Sequence, residues 1–83
     1  MPKKLYVGNL PYSFTSNDLA ELFKQHGTVS GAEVLVDRET GQPRGFGFVT
    51  MENRKDAARA IEGLDGSELA GRRLVVNIAT DRS

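Results

Sequence analysis

Eighty-three residues suit one small βα domain, with a core so modest that nearly every apolar position has to contribute to it. Cysteine is absent, which excludes a disulfide framework, a thiolate metal site and a Cys nucleophile and fits a reducing compartment; no apolar run approaches the roughly eighteen residues of a membrane span, and no basic-then-apolar leader opens the chain. Eleven basic residues balance eleven acidic ones, so no function can rest on a strongly charged surface overall.

Residues 3–8, Lys-Lys-Leu-Tyr-Val-Gly, alternate as a first strand, with Leu5 and Val7 inward, Tyr6 outward and Lys3 or Lys4 at its mouth. Asn9 to Ser13 reads as loop, and Tyr12 and Phe14 as packing residues. Thr15-Ser16-Asn17-Asp18 has the spacing of a capping box, with Asp in the place usually held by Glu or Gln. Leu19, Leu22, Phe23 and His26 then recur on one helical face and Gly27 stops it, which predicts a helix over 16–26; the helix-end position favours His26 through the dipole. A second strand begins at Val29, with Ala32, Val34 and Val36 inward and Glu33 and Leu35 outward. Asp37 to Pro43 is a turn that closes a hairpin.

In the stretch from Arg44 to Met51 a period of two puts Arg44, Phe46, Phe48 and Thr50 on one side and Gly45, Gly47, Val49 and Met51 on the other. Burying the two rings would carry Arg44 inward with them, and a buried unpaired guanidinium is far more costly than two rings in water. Phe46 and Phe48 are therefore expected on the outside, with Gly45 and Gly47 letting another backbone or a helix come close. Asn53 caps a second helix over 54–63, whose Ala57, Ala60, Ile61 and Leu64 form a narrow stripe able to lie close on a sheet. Glycines at 63, 66 and 71 punctuate the connection from this helix to the end of the chain. A last strand over 73–79 puts Leu74, Val76 and Ile78 in the core and Val75, Asn77 and Ala79 on the open face. The order βαββαβ predicts an α+β, ferredoxin-like sandwich: a four-stranded antiparallel sheet with two helices on one face, in one domain over 1–83 with its core from about 4 to 80.

Two flat rings beside a cation make a surface for stacking bases and holding a phosphate. The octapeptide Arg44-Gly45-Phe46-Gly47-Phe48-Val49-Thr50-Met51 resembles the longer ribonucleoprotein motif of the RNA recognition motif family, agreeing at seven of eight positions. Met51 departs from the family's aromatic, on the core side, where it alters packing and not contact chemistry. Leu5-Tyr6-Val7-Gly8-Asn9-Leu10 resembles the companion hexapeptide, and Gly27, the turn from Asp37 to Gly41 and the spacing of Ala57, Ala60 and Ile61 match as well. The likeness runs from Lys4 to about Thr80 and is strongest to the small bacterial, glycine-rich and cold-inducible members.

The resemblance implies binding of single-stranded RNA, about two to four nucleotides across the sheet, in post-transcriptional regulation or in RNA chaperoning by passive trapping of single strands. Tyr6, Phe46 and Phe48 would stack two successive bases and pack a ribose, and Arg44 would hold a phosphate. Glu33, Leu35, Val75, Asn77 and Ala79 line the same face as candidate readers of base edges. Lys4 and Arg38, with Lys3, Arg72 and Arg73, are candidate electrostatic guides. No catalysis, cofactor or metal is expected: one histidine makes no metal site, and no Gly-Lys-Ser/Thr follows Gly45-Phe46-Gly47 to make a phosphate loop. The expected partner is single-stranded RNA, with single-stranded DNA weaker, bound by a monomer away from membranes in the cytoplasm, or the nucleus of a eukaryote. The alternative is a protein-binding module on the same fold, which would show degraded stacking aromatics and a strongly acidic first helix. Here the aromatics are whole, and the two helical regions carry six acids against four bases.

Overall fold

The predicted alternation becomes a real sheet in the computed structural model, which describes residues 3–79; the expected core end at Thr80 lies outside the described residues. In chain order the elements are β1 (Lys4–Gly8), α1 (Ser16–Lys24), β2 (Val29–Val36), β3 (Pro43–Met51), α2 (Arg54–Leu64), β4 (Glu68–Leu69), β5 (Arg72–Arg73) and β6 (Val75–Ile78). The main sheet is antiparallel in the order β2-β3-β1-β6, and β4 and β5 pair apart from it. Leu5, Val7, Val49, Met51 and Val76 from the sheet bury against Leu19 and Phe23 of α1 and Ala57, Ala60 and Leu64 of α2, so both helices cover one face. This is the ferredoxin-like arrangement expected from the element order.

Both helix starts are written in the sequence. Thr15 Oγ1 accepts from the Asp18 N–H and Asp18 Oδ2 accepts from the Thr15 N–H, each at 3.0 Å, closing the capping box with aspartate at its third position. Asn53 Oδ1 accepts from the Asp56 N–H at 3.2 Å. The first helix ends at Lys24, short of His26, whose ring packs instead on Gly63 of the second helix. Each edge of the sheet has one backbone N–H satisfied by a side chain, Val34 donating to Ser16 Oγ and Val76 to Asp65 Oδ1, both at 2.9 Å.

Two irregularities in β2–β3 pairing shape the open face. Between Val29↔Met51 and Gly31↔Thr50 the second strand has one extra residue, so Val29 as well as Ala32 and Val34 can pack on the core. Between Val34↔Gly47 and Val36↔Pro43 the single Leu35 faces Arg44, Gly45 and Phe46. Gly45 absorbs this bulge with φ +84°, so its role is backbone conformation and not the close packing expected of it. Gly47 does have the expected close approach: a Cβ there would run into the Glu33 carbonyl oxygen and stand 3.1 Å from Val34 Cα.

Two predicted core residues are not in the core. Val36, past the second bulge and beside the turn, is 51% exposed; Ile78, near the end of edge strand β6, is 52% exposed although it pairs with buried Leu5. The predicted strand over 73–79 is also divided. Leu74 leaves the ladder to exchange backbone bonds with Gly66 and Ser67, and the residues before it form the β4–β5 hairpin, turned by Ala70 and Gly71 at φ 52° and 81°. Replacing Gly47 with Ala should lower stability by about 1–3 kcal/mol, because the clash is with backbone that cannot step aside. Urea unfolding measures this, and an unchanged midpoint would contradict the close β2–β3 contact.

Candidate functional site

The pairings lay the open face out in three rows. Asn77, Tyr6, Phe48 and Glu33 stand side by side across all four strands; Val75, Gly8 and Phe46 form the next row, with Leu35 at its bulged end; Lys4, Thr50 and Gly31 form the third, extended by an Ala79 N–H that donates to the Lys4 carbonyl at 2.8 Å. Every residue expected on this face, apart from the guide Arg38, therefore lies in or beside a row. Arg38 sits out in the β2–β3 turn, in a groove with Leu35, Val36, Asp37, Glu39 and Arg44.

The three rings form one cluster. Tyr6 lies 5.9 Å from Phe46 and 5.9 Å from Phe48 between centroids, and Phe46 and Phe48 stand edge to face at 6.3 Å. Tyr6 leans over Gly8, where a Cβ would come within 2.9 Å of its ring, so the absent side chain is what lets Tyr6 reach toward Phe46. All three rings are half-buried by this mutual contact, and not wholly in water as the alternation alone implied. Val49 and Met51, one residue out of step, are fully buried beneath.

A cation attends each phenylalanine. Lys4 Nζ stands 4.8 Å from the Phe48 centroid, and Arg44 Cζ stands 5.5 Å from that of Phe46. The latter contact places Arg44 on the ring side despite the bulge, which inserts two residues and so preserves the alternation. Among the described residues the one ion pair joins Glu21 and Lys24 on the first helix, which leaves Lys4, Arg38 and Arg44 without a carboxylate partner. Lys3 is turned away, its Nζ donating to the Glu52 carbonyl at 3.2 Å.

One aromatic departs from its expected place. Tyr12, expected to pack, is exposed, with Arg72 Cζ 5.2 Å from its ring centroid; Phe14 is half-buried against the core as expected. No periodicity runs through a loop, and the neighbouring Pro11 and Leu10, both buried, already anchor it.

The chain matches the RNA recognition motif family profile over residues 5–75. Putative RNA-binding protein RbpA of Nostoc sp. (strain PCC 7120 / SAG 25.82 / UTEX 2576) is 53% identical over 78 residues, covering 94% of this chain and 76% of that protein. The chloroplastic 31 kDa ribonucleoprotein of Nicotiana sylvestris is 50% identical over 80 residues, 96% of this chain but 25% of that protein, so the chain spans only about a quarter of that relative. The crystal structure of RNA binding protein PG1 superposes with a TM-score of 0.92 at 51% identity, covering 98% of each chain. An Sxl-lethal protein/RNA complex gives 0.93 at 30% identity, covering 100% of this chain and 50% of that one.

The turn that presents Arg44 has its own electrostatics. Asp37 Oδ1 accepts from the Glu39 N–H at 2.8 Å and the Thr40 N–H at 3.2 Å. The Glu39 bond first, then the Thr40 bond, and less so the nearby Arg44 charge hold the Asp37 carboxyl below its ordinary range. Because folding favours the carboxylate, its contribution is fully present above the unfolded value of about 3.9 and is lost as pH falls through the lower folded value. Carboxyl NMR should therefore find Asp37 titrating below about 3.9, and a midpoint at or above that figure would contradict the turn geometry.

Proposed function

The chain belongs to the RNA recognition motif family, and we propose that it binds RNA by stacking bases of a single strand on Tyr6, Phe46 and Phe48 while Arg44 and Lys4 meet the flanking phosphates. The observation that carries this reading is the cluster of three rings within 6.3 Å of one another, with two cations over it that form no salt bridge among the described residues, on the face opposite the helices. Each cation lies over a ring that a base would also use. A cation–π contact at an exposed site is worth about 0.5–1 kcal/mol, and a base stack about 1–3 kcal/mol. The base wins the ring, and the displaced ammonium or guanidinium swings toward the phosphate that arrives with it.

Asn77 and Glu33 flank Tyr6 and Phe48 in the same row, within reach of the edges of a base stacked there, and Asn77 can both donate and accept. Leu35, Val75 and Ala79 supply apolar borders, and Arg38 draws the strand in from the hairpin turn. We read the domain as a monomeric binder and not a catalyst, acting on RNA by holding it single-stranded, with single-stranded DNA a weaker ligand for want of the 2′-hydroxyl. A cytoplasmic setting, or an organelle like that of the chloroplastic relatives, belongs to the same proposal.

Phe46→Ala or Phe48→Ala should each weaken binding of a single-stranded RNA oligonucleotide by about 1–3 kcal/mol, and should lower the melting temperature only by the loss of the half-buried ring contacts. Val49→Ala, one residue away but facing the core, should instead lower the melting temperature first. Titration of the three variants decides it: if both phenylalanine variants bind like the parent, the platform assignment fails.

A further inference from the structure

One residue of the Asn77, Tyr6, Phe48 and Glu33 row has the wrong charge for a polyanion. Glu33 is exposed on the open face, directly across the β2–β3 ladder from Phe48. Phosphates flanking a base stacked on Phe48 pass near its carboxylate, and like charges brought together there weaken binding. Among the described residues the carboxylate joins no salt bridge, although Lys4 Nζ stands 4.8 Å from the centroid of the neighbouring Phe48 ring. A charge that neither ties the sheet together nor attracts the backbone of the ligand is accounted for if it accepts hydrogen bonds from a base.

The space beside Glu33 suits such a contact. Phe48, Glu33, Thr50, Lys4, Gly31 and Ala32 line an open recess of about 370 Å³, room for a purine. Gly31 keeps it clear, because it pairs with Thr50 on the same face and a Cβ there would meet nothing within 4 Å. Phe48 gives the stacking surface and Lys4 goes to the phosphate, which leaves the Glu33 carboxylate and the Thr50 hydroxyl to meet the edge of the base. In a single strand that edge is the free Watson–Crick edge. An ionised carboxylate only accepts, through two oxygens side by side. Guanine alone among the four bases presents two adjacent donors, N1–H and the 2-amino group, to match them as the fork of an arginine would. Adenine and cytosine offer one amino group with an acceptor nitrogen beside it, and uracil one N–H between two carbonyl oxygens, so each sets a lone pair against the negative charge.

We propose that Glu33 is a specificity-determining residue that selects guanine as the base stacked on Phe48, accepting from its N1–H and 2-amino group while the Thr50 hydroxyl donates to its O6. This rests on the reading of Tyr6, Phe46 and Phe48 as the platform, and it names the base that one place on the platform takes. Repulsion between Glu33 and the phosphates then acts against every base, and only guanine offsets it with two hydrogen bonds.

The test compares three RNAs: an oligouridylate of about six nucleotides, the same RNA with one central guanosine, and the same with one central inosine, which keeps N1–H and O6 but lacks the 2-amino group. The guanosine RNA should bind about tenfold more tightly than the oligouridylate, as one bidentate base contact allows, with the inosine RNA between them. Glu33→Gln, which keeps the size of the side chain and removes its charge, should bring the guanosine RNA and the oligouridylate within about twofold of one another, with the melting temperature at the parent's value. A Glu33 that acted on the backbone alone would shift all three RNAs by one factor on this substitution and leave their ratios unchanged. That result, or a parent that binds the guanosine RNA and the oligouridylate alike, overturns the assignment. Phe48→Ala should weaken both RNAs and remove the preference; if it binds both as the parent does, the platform reading falls, and with it the place given to the guanine.

Discussion

Shifting β3 by one residue against β1 would carry Phe46 and Phe48 under the sheet and lift Val49 and Met51 into water, and the open face depends on that shift not happening. The pairs Leu5↔Val49 and Val7↔Gly47 hold the register from below, by burying three aliphatic side chains beside a glycine that the backbone of β2 needs to come close. Tyr6↔Phe48 and Gly8↔Phe46 are then set on the other side without further specification. Rings, cations and row neighbours are therefore placed by core packing, and the chemistry of the face is a consequence of what fills the space beneath it.

Leaving three aromatics on the surface of so small a domain is a cost that the fold meets only in part. Their mutual contact at about 6 Å and the two attendant cations recover some apolar area, yet the rings stay half-exposed while the core, among the described residues, makes do with twelve buried apolar residues, two of them alanines. An exposed cluster of this kind marks a binding surface. With acids and bases in balance over the chain, attraction of a polyanion at long range is weak, so the affinity has to be made at contact.

Much of this is legible in the sequence because it depends on alternation and capping. Parity over 44–51, with the expense of burying Arg44, is enough to turn Phe46 and Phe48 outward, and the bulge at Gly45 leaves the conclusion intact because it inserts an even number of residues. The Thr15–Asp18 and Asn53 caps can be read directly. Parity says which side a residue faces but not how far the helices reach, and so it assigns Val36 and Ile78 to a core that does not extend to them. The β4–β5 hairpin escapes a sequence reading because its strands are two residues long and its turn opens with Ala70, which lacks the usual Asn, Asp or Gly signal for positive φ. Tyr12 escapes it because loop burial is set by neighbours in space.

The claim that stacking dominates over charge is tested most directly by the salt dependence of RNA affinity. Each phosphate neutralised on a single strand contributes about −0.7 to the slope of log affinity against log salt. The cations at the rings are Lys4 and Arg44, with Arg72 beyond them, Lys3 is engaged elsewhere, and Glu33 opposes them from within the Tyr6–Phe48 row. The slope should therefore be shallow, roughly −1 to −2, with substantial affinity persisting at high salt. A slope several-fold steeper, with binding abolished by salt, would show that charge and not the Tyr6, Phe46 and Phe48 platform holds the RNA.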